Sequence, residues 1–207
     1  TASEGQLRRA STDYPGWVTD TYLQLPESLP ERVRDLAASV TEGAEDPYDK
    51  AAAIEDYLKT LEYDLSISPP PFDGDGVDHH LFTLRRGYSD YFGSSMAVML
   101  RATGVPARMV AGYASGERED GSGSFVVRDR DSHGWAEAYF PGYGWIEFEP
   151  TPGRTLPTGP RGGDVDLASL FGGGAGAGDE EFIGEDLLVG ETTLFTALPV
   201  PGDGTVG

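Results

Sequence analysis

The chain has 207 residues and a net charge of −20, and it contains no cysteine. Charge of this sign repels phosphate, which argues against nucleic acid and anionic membrane surfaces; it favours solubility, or cationic partners such as polyamines, metal ions or basic peptides. The missing thiols exclude disulfides, thiolate zinc sites and a cysteine nucleophile in the chain as written.

The length allows one good core with a small appendage. TASEGQLRRASTDY at the start has no apolar signal segment, and no apolar run is long enough to cross a bilayer. The first residue is Thr rather than Met, so we expect a fragment of a longer protein, whose other parts could include membrane segments.

Residues 1–29 read as an irregular N-terminal arm, with aromatic anchors between turn-forming prolines in TDYPGWVTDTYLQLPESLP. Pro30 opens a helix with Val33, Leu36, Ala37 and Val40 at helical spacing and Gly43 as its stop. Asp46 is the expected N-cap of a second helix with Pro47 in its first position; Ala51, Ile54, Tyr57 and Leu58 form its apolar stripe. SPPPFDGDGVDHH then reads as a loop from its Pro and Gly density.

Within that loop Asp73, Asp75, Asp78, His79 and His80 are candidate metal ligands. Counted from Asp73, however, Val77 and Leu84 occupy positions five and twelve, where a calcium loop needs oxygen ligands. No metal site is therefore expected, and the loop is read as solvated.

A third helix is expected from Ser89 to about Thr103, with Met96, Met99 and Leu100 on one side and Gly104 ending it. ARMVAGY reads as a buried strand, EREDGSGS as a hairpin-like loop and SFVVRD as another strand. SHGWAEAYF alternates, placing His133, Trp135, Glu137 and Tyr139 on one face and Gly134, Ala136 and Ala138 on the other. PGYG is a turn signal and WIEFEP the strand it pairs with. Trp135 and Trp145 are expected to pack sheet against helix, Arg108 to pair with an internal carboxylate, and Tyr113 to anchor a strand end. Helices followed by an antiparallel sheet give an α+β fold class.

Three residues could share a site. Ser89 stands at a helix start, where unpaired N–H groups favour negative charge; His133 lies on a strand, and Glu149 ends the next. Their 16-residue separation allows His133 and Glu149 to lie opposite one another across a hairpin, so that the carboxylate could orient the imidazole. With Ser89 facing the ring, this is a nucleophile, base and orienter arrangement.

RRGYSDYFGSSMAVMLRATGVPARMVAGY followed by DSHGWAEAYFPGYGWIEFEPTPG resembles the bacterial transglutaminase-like family, which shares its core with papain-type cysteine proteases. The blocks carrying the resemblance are Gly87-Tyr88-Ser89, Arg101 to Arg108, Gly112-Tyr113, Asp131 to Trp135 and Glu149-Pro150-Thr151. They span roughly residues 30–153, leaving 1–29 as the arm and 154–207 as an acidic Gly/Pro-rich linker and tail, largely non-globular.

The resemblance implies a papain-like α+β core with N-terminal helices packed on an antiparallel sheet. It also implies that Ser89 stands at the catalytic Cys position, His133 at the catalytic His and Glu149 at the acid, which is usually Asp. Tyr88, Trp135 and His80 would border the substrate groove, His80 from its rim. The implied activity is acyl transfer or amide hydrolysis on a peptide or protein, without a cofactor, in an extracytoplasmic domain of a membrane-tethered bacterial protein. The alternative is a non-catalytic module that binds peptide or cell wall.

Serine is the departure, because its hydroxyl is far harder to ionise than a thiol. Three origins stay open: a member that has lost acyl transfer, a member using serine as a working nucleophile, or an engineered Cys→Ser exchange.

Overall fold

The structure is a computed structural model that describes residues 2–70, 72, 74–121 and 124–156, all within one compact unit of the chain. Four helices come first: α1 (Glu4–Arg8), α2 (Gly16–Tyr22), α3 (Glu31–Val40) and α4 (Pro47–Leu58). The arm is thus not irregular. Leu7 and Val18 are fully sequestered, Arg8 pairs with Asp49 of α4 at 2.8 Å, and Trp17 and Tyr22 pack on aromatic residues of the sheet. Two short helices are enough here because their apolar residues are covered by the rest of the domain, which local sequence does not reveal.

The two longer helices start where their caps place them. Pro30 is the N-cap of α3, and the Asp46 carboxylate accepts from the Tyr48 and Asp49 backbone N–H groups at the start of α4. Ala51, Ile54 and Leu58 of α4 are buried as their spacing requires, while Tyr57 is only partly so.

The Pro/Gly segment is not a loop throughout. After β1 (Glu62–Tyr63), residues Gly76–Asp78 make a helical turn, α5, that runs into a π-helix over His79–Leu84. Leu81 and His80 of that turn have no exposed surface, and Arg32 pairs with Asp78 while lying over the Phe82 ring. Arg85 closes the turn at φ 52°, and β2 (Arg86–Gly87) pairs parallel with β1. Apolar anchoring overrides the loop-like composition.

Helix α6 (Ser89–Ala102) is the centre of the domain, packed on α3 and α4 on one side and on the sheet on the other. Phe92, Met96, Met99 and Leu100 are fully buried along it. Its end is a Schellman motif: the Val105 N–H bonds to the Leu100 carbonyl and the Gly104 N–H to the Arg101 carbonyl, with Gly104 at φ 80°. Arg101 also donates to the Ala107 and Gln24 carbonyls, fastening the helix end to the next strand and to the arm.

The sheet follows as β3 (Ala107–Tyr113), a small hairpin of β4 (Glu117–Arg118) and β5 (Phe125–Val126), then β6 (Ser132–Phe140) and β7 (Gly144–Phe148). The main sheet has the antiparallel order β3-β6-β7, with β6 central. At the edge, β3 is only half-buried apart from Ala107, not the buried strand expected, and the second expected strand shrinks to two residues.

The alternation in β6 holds: Ala136 and Ala138 turn into the core. A Cβ at Gly93 of α6 would sit 3.2 Å from the Trp135 carbonyl oxygen, so the glycine sets the close approach of helix to sheet. The tail expected after residue 154 lies outside the described residues from 157 onward.

Candidate active site

Ser89 is the first helical residue of α6, preceded by Tyr88 in an extended conformation, and is only 9% exposed. Its side chain therefore sits beside the unpaired N–H groups of a 14-residue helix, which favour charge developing on a nucleophile or on a bound carbonyl. A Cβ at Gly134 would lie 3.6 Å from the Ser89 carbonyl carbon and 3.1 Å from Asp90 Oδ1. The glycine after His133 thus lets the start of α6 settle directly on β6.

His133 and Glu149 are both buried, and His133 Nε2 is hydrogen-bonded to Glu149 Oε2. They are not directly opposite. Ala136 pairs with Phe148, so extending that register sets Glu149 across from Trp135, two residues from His133. The bond therefore crosses the hairpin diagonally, within reach of a long side chain.

Each part of Glu149 is held. Its Oε1 accepts from the Thr151 N–H at 3.0 Å, and its own backbone N–H donates to Glu55 Oε1 of α4 at 2.9 Å. Among the described residues, no hydrogen bond joins Ser89 to His133. Bonds of this kind often tighten only when substrate binds.

The groove candidates separate. Tyr88 lines an open cavity of about 450 Å³ beside the start of α6, together with Asp75, Asp90, Tyr91 and Ser95. Ser89 and His133 do not line it. His80 is not on a rim: it is fully buried, with Nδ1 on Ser95 Oγ at 2.7 Å and its ring edge-on to Phe92. Burial pushes its pKa down from 6.5 to about 4, so it is neutral at pH 7.

Trp135 lies almost parallel to the His133 ring at 6.3 Å, and its indole fills the space that a side chain at Gly112 would need. Its backbone carbonyl lies against Gly93 of α6. Trp145 packs instead on Tyr22 of α2 and on Tyr139, under the Arg108 guanidinium. Arg108 pairs with Glu137 at 2.6 Å, the internal carboxylate expected for it, whereas Tyr113 is 56% exposed and buries little as an anchor. Of the acidic loop, Asp75 caps the Asp78 N–H and Asp78 pairs with Arg32, while Asp73 lies outside the described residues.

Residues 34–150, more than half the chain, match the family described as the transglutaminase-like superfamily. The chain belongs to the transglutaminase-like superfamily. The chain is 44% identical over 159 residues to YebA of Bacillus subtilis, named as an uncharacterized protein; the match covers 73% of this chain and 21% of YebA. It is 36% identical over 129 residues to a protein-glutamine gamma-glutamyltransferase of Pseudomonas aeruginosa, covering 62% of this chain and 19% of that protein. The chain thus spans about a fifth of the length of these relatives.

Among solved structures it superimposes on the periplasmic domain of TgpA from Pseudomonas aeruginosa, bound to ethylmercury, with TM-score 0.59 and 33% identity. That match covers 68% of this chain and 50% of the other. The fold is the transglutaminase-like, papain-like one, with helices packed on an antiparallel sheet. Among the described residues no helix is long and apolar enough to cross a membrane.

Sequence reasoning missed Glu55. The signal was available: Ala51, Glu55 and Leu58 follow i, i+4, i+7 spacing, which sets a carboxylate inside the apolar stripe of α4.

Proposed function

We propose that this domain carries acyl transfer or amide hydrolysis on peptide or protein substrates, outside the cytoplasm, as part of a larger membrane-tethered protein. Ser89 attacks, His133 moves the proton and Glu149 orients the ring. The observation that carries this reading is the buried His133–Glu149 hydrogen bond beside the start of α6.

With Nε2 bonded to a carboxylate, a neutral imidazole keeps its proton there, and Nδ1 is free to accept another. In the first half-reaction Ser89 Oγ bonds to the amide carbon while its proton passes to Nδ1. The tetrahedral intermediate then expels the amine, which takes the proton back from Nδ1 as the C–N bond breaks. An incoming amine or water reverses these steps and frees Ser89. The N–H groups of the first turn of α6 are the donors suited to the developing oxyanion.

Oxygen in place of sulfur makes the first step slow, since imidazole readily ionises a thiol but not a hydroxyl. The test compares hydrolysis and amine incorporation on a glutamine-containing peptide for the wild type and Ser89→Cys. The expected gain for Ser89→Cys is at least about 100-fold, because the thiolate is the reactive form. Equal rates would mean that serine is a working nucleophile. A second reading, a peptide- or cell-wall-binding module without catalysis, is favoured by the missing Ser89–His133 bond. Inactivity of both forms, together with measurable binding of the peptide or of peptidoglycan by the wild type, would support it.

A further inference from the structure

A carboxylate with only 5% of its surface exposed stands on α4, a helix that contributes nothing else to the candidate triad. Burying such a charge is costly unless hydrogen bonds and an opposite charge compensate it. Glu55 has both: Oε1 accepts from the Glu149 N–H at 2.9 Å, and Lys59 Nζ, one turn along the helix, lies at 3.2 Å.

The place where it bonds is informative. β7 ends at Phe148, so Glu149 lies just past the strand ladder, and Pro150 after it has no N–H to give. A buried N–H at a strand end needs a partner from elsewhere. Here the partner comes from 94 residues away, on a helix tied to its neighbours α1 and α6 at two other points. Arg8 bonds to Asp49 near its start, and Lys50 Nζ donates to the Thr103 carbonyl at the end of α6.

We propose that Glu55 is a positioning residue for the His133–Glu149 pair. It fixes the Glu149 backbone, Thr151 N–H fixes one carboxylate oxygen, and the other oxygen is then directed at His133 Nε2. The catalytic consequence rests on the acyl-transfer reading above; the structural one does not.

Two variants separate the hydrogen bond from the charge. Glu55→Met keeps the length of the side chain and removes the acceptor, whereas Glu55→Gln removes the charge and keeps an oxygen able to accept from Glu149. The chain has three histidines, so its imidazole N–H resonances can be assigned by NMR. The wild type should show a downfield, slowly exchanging His133 Nε2–H signal, retained in Glu55→Gln and lost or moved upfield in Glu55→Met. A signal unchanged in Glu55→Met, or lost equally in both variants, overturns the proposal.

Should Glu55→Met fail to fold, the Glu149 amide decides. Slow hydrogen exchange there in the wild type and Glu55→Gln supports the assignment, and exchange as fast as at an exposed loop overturns it. Combined with Ser89→Cys, Glu55→Met should lower kcat by about 10- to 100-fold with KM within about twofold, the usual cost of a misplaced supporting group. Glu55→Gln should restore most of that loss, and parallel losses in kcat for both variants would count against the proposal. Inactivity of Ser89→Cys itself would sink the acyl-transfer reading while the imidazole signal still decides the role of Glu55.

Discussion

His80 makes the stability of this domain depend on pH in a way that can be worked through. The ring is fully buried between Phe92 and Tyr91 and bonded to Ser95, and its pKa is lowered by burial to about 4. In the unfolded chain it titrates near the usual histidine value of about 6.5. Between these two values the unfolded chain binds a proton that the native one does not. Stability is therefore fully present above about pH 6.5 and falls as the pH drops toward 4. Each unit costs about 1.4 kcal/mol, so the loss is about 2 kcal/mol by pH 5 and about 3 kcal/mol by pH 4.

The variant to compare is His80→Phe, which cannot titrate and retains an aromatic ring against Phe92. Urea unfolding of both proteins at pH 7, 6 and 5 gives two stability curves, and their difference isolates His80 because the carboxylates are common to both. At pH 7 His80→Phe should be the less stable, by about 1 kcal/mol for the lost Ser95 bond. By pH 5 that deficit should have been reversed, the gap having moved by about 2 kcal/mol in favour of His80→Phe. Curves that run parallel from pH 7 to 5 would refute the reasoning.

Two further outcomes follow from the packing. Asp46→Ala removes the acceptor for two backbone N–H groups at the start of α4 and should cost about 1 kcal/mol in urea unfolding. Gly93→Val puts a branched side chain where even a Cβ would be 3.2 Å from the Trp135 carbonyl oxygen, and a backbone atom yields less readily than the end of a side chain. It should destabilise the domain by about 1–3 kcal/mol, read as a lower urea midpoint with an unchanged m-value.

Two of the three candidate positions sit on elements with a strong local signature. Ser89 opens a helix with a clear apolar face, and His133 lies in a strand whose small residues alternate with large ones. The diagonal relation of His133 to Glu149 was not legible, since the register depends on how many residues the Phe140–Gly144 turn takes up. His80 was misplaced for a related reason. It follows a segment rich in Asp, Gly and Pro, yet the π-turn at His79–Leu84 carries it under α6. The arm was undervalued because Leu7, Val18 and Trp17 are too few to show a period, although each finds a partner in the folded domain.

By itself, the sequence determined the starts of α3, α4 and α6, the alternation of the central strand and the order of the blocks that place the chain in its superfamily. These depend on caps, periodicity and turn residues, which act over a few positions. Tertiary structure alone decided that a carboxylate on α4 holds the backbone of the acid just past the last strand. It also decided that a histidine beside the cavity is a buried neutral group. Those contacts join residues 15 and 94 positions apart, and no local pattern encodes a contact whose two halves are brought together only when the core closes.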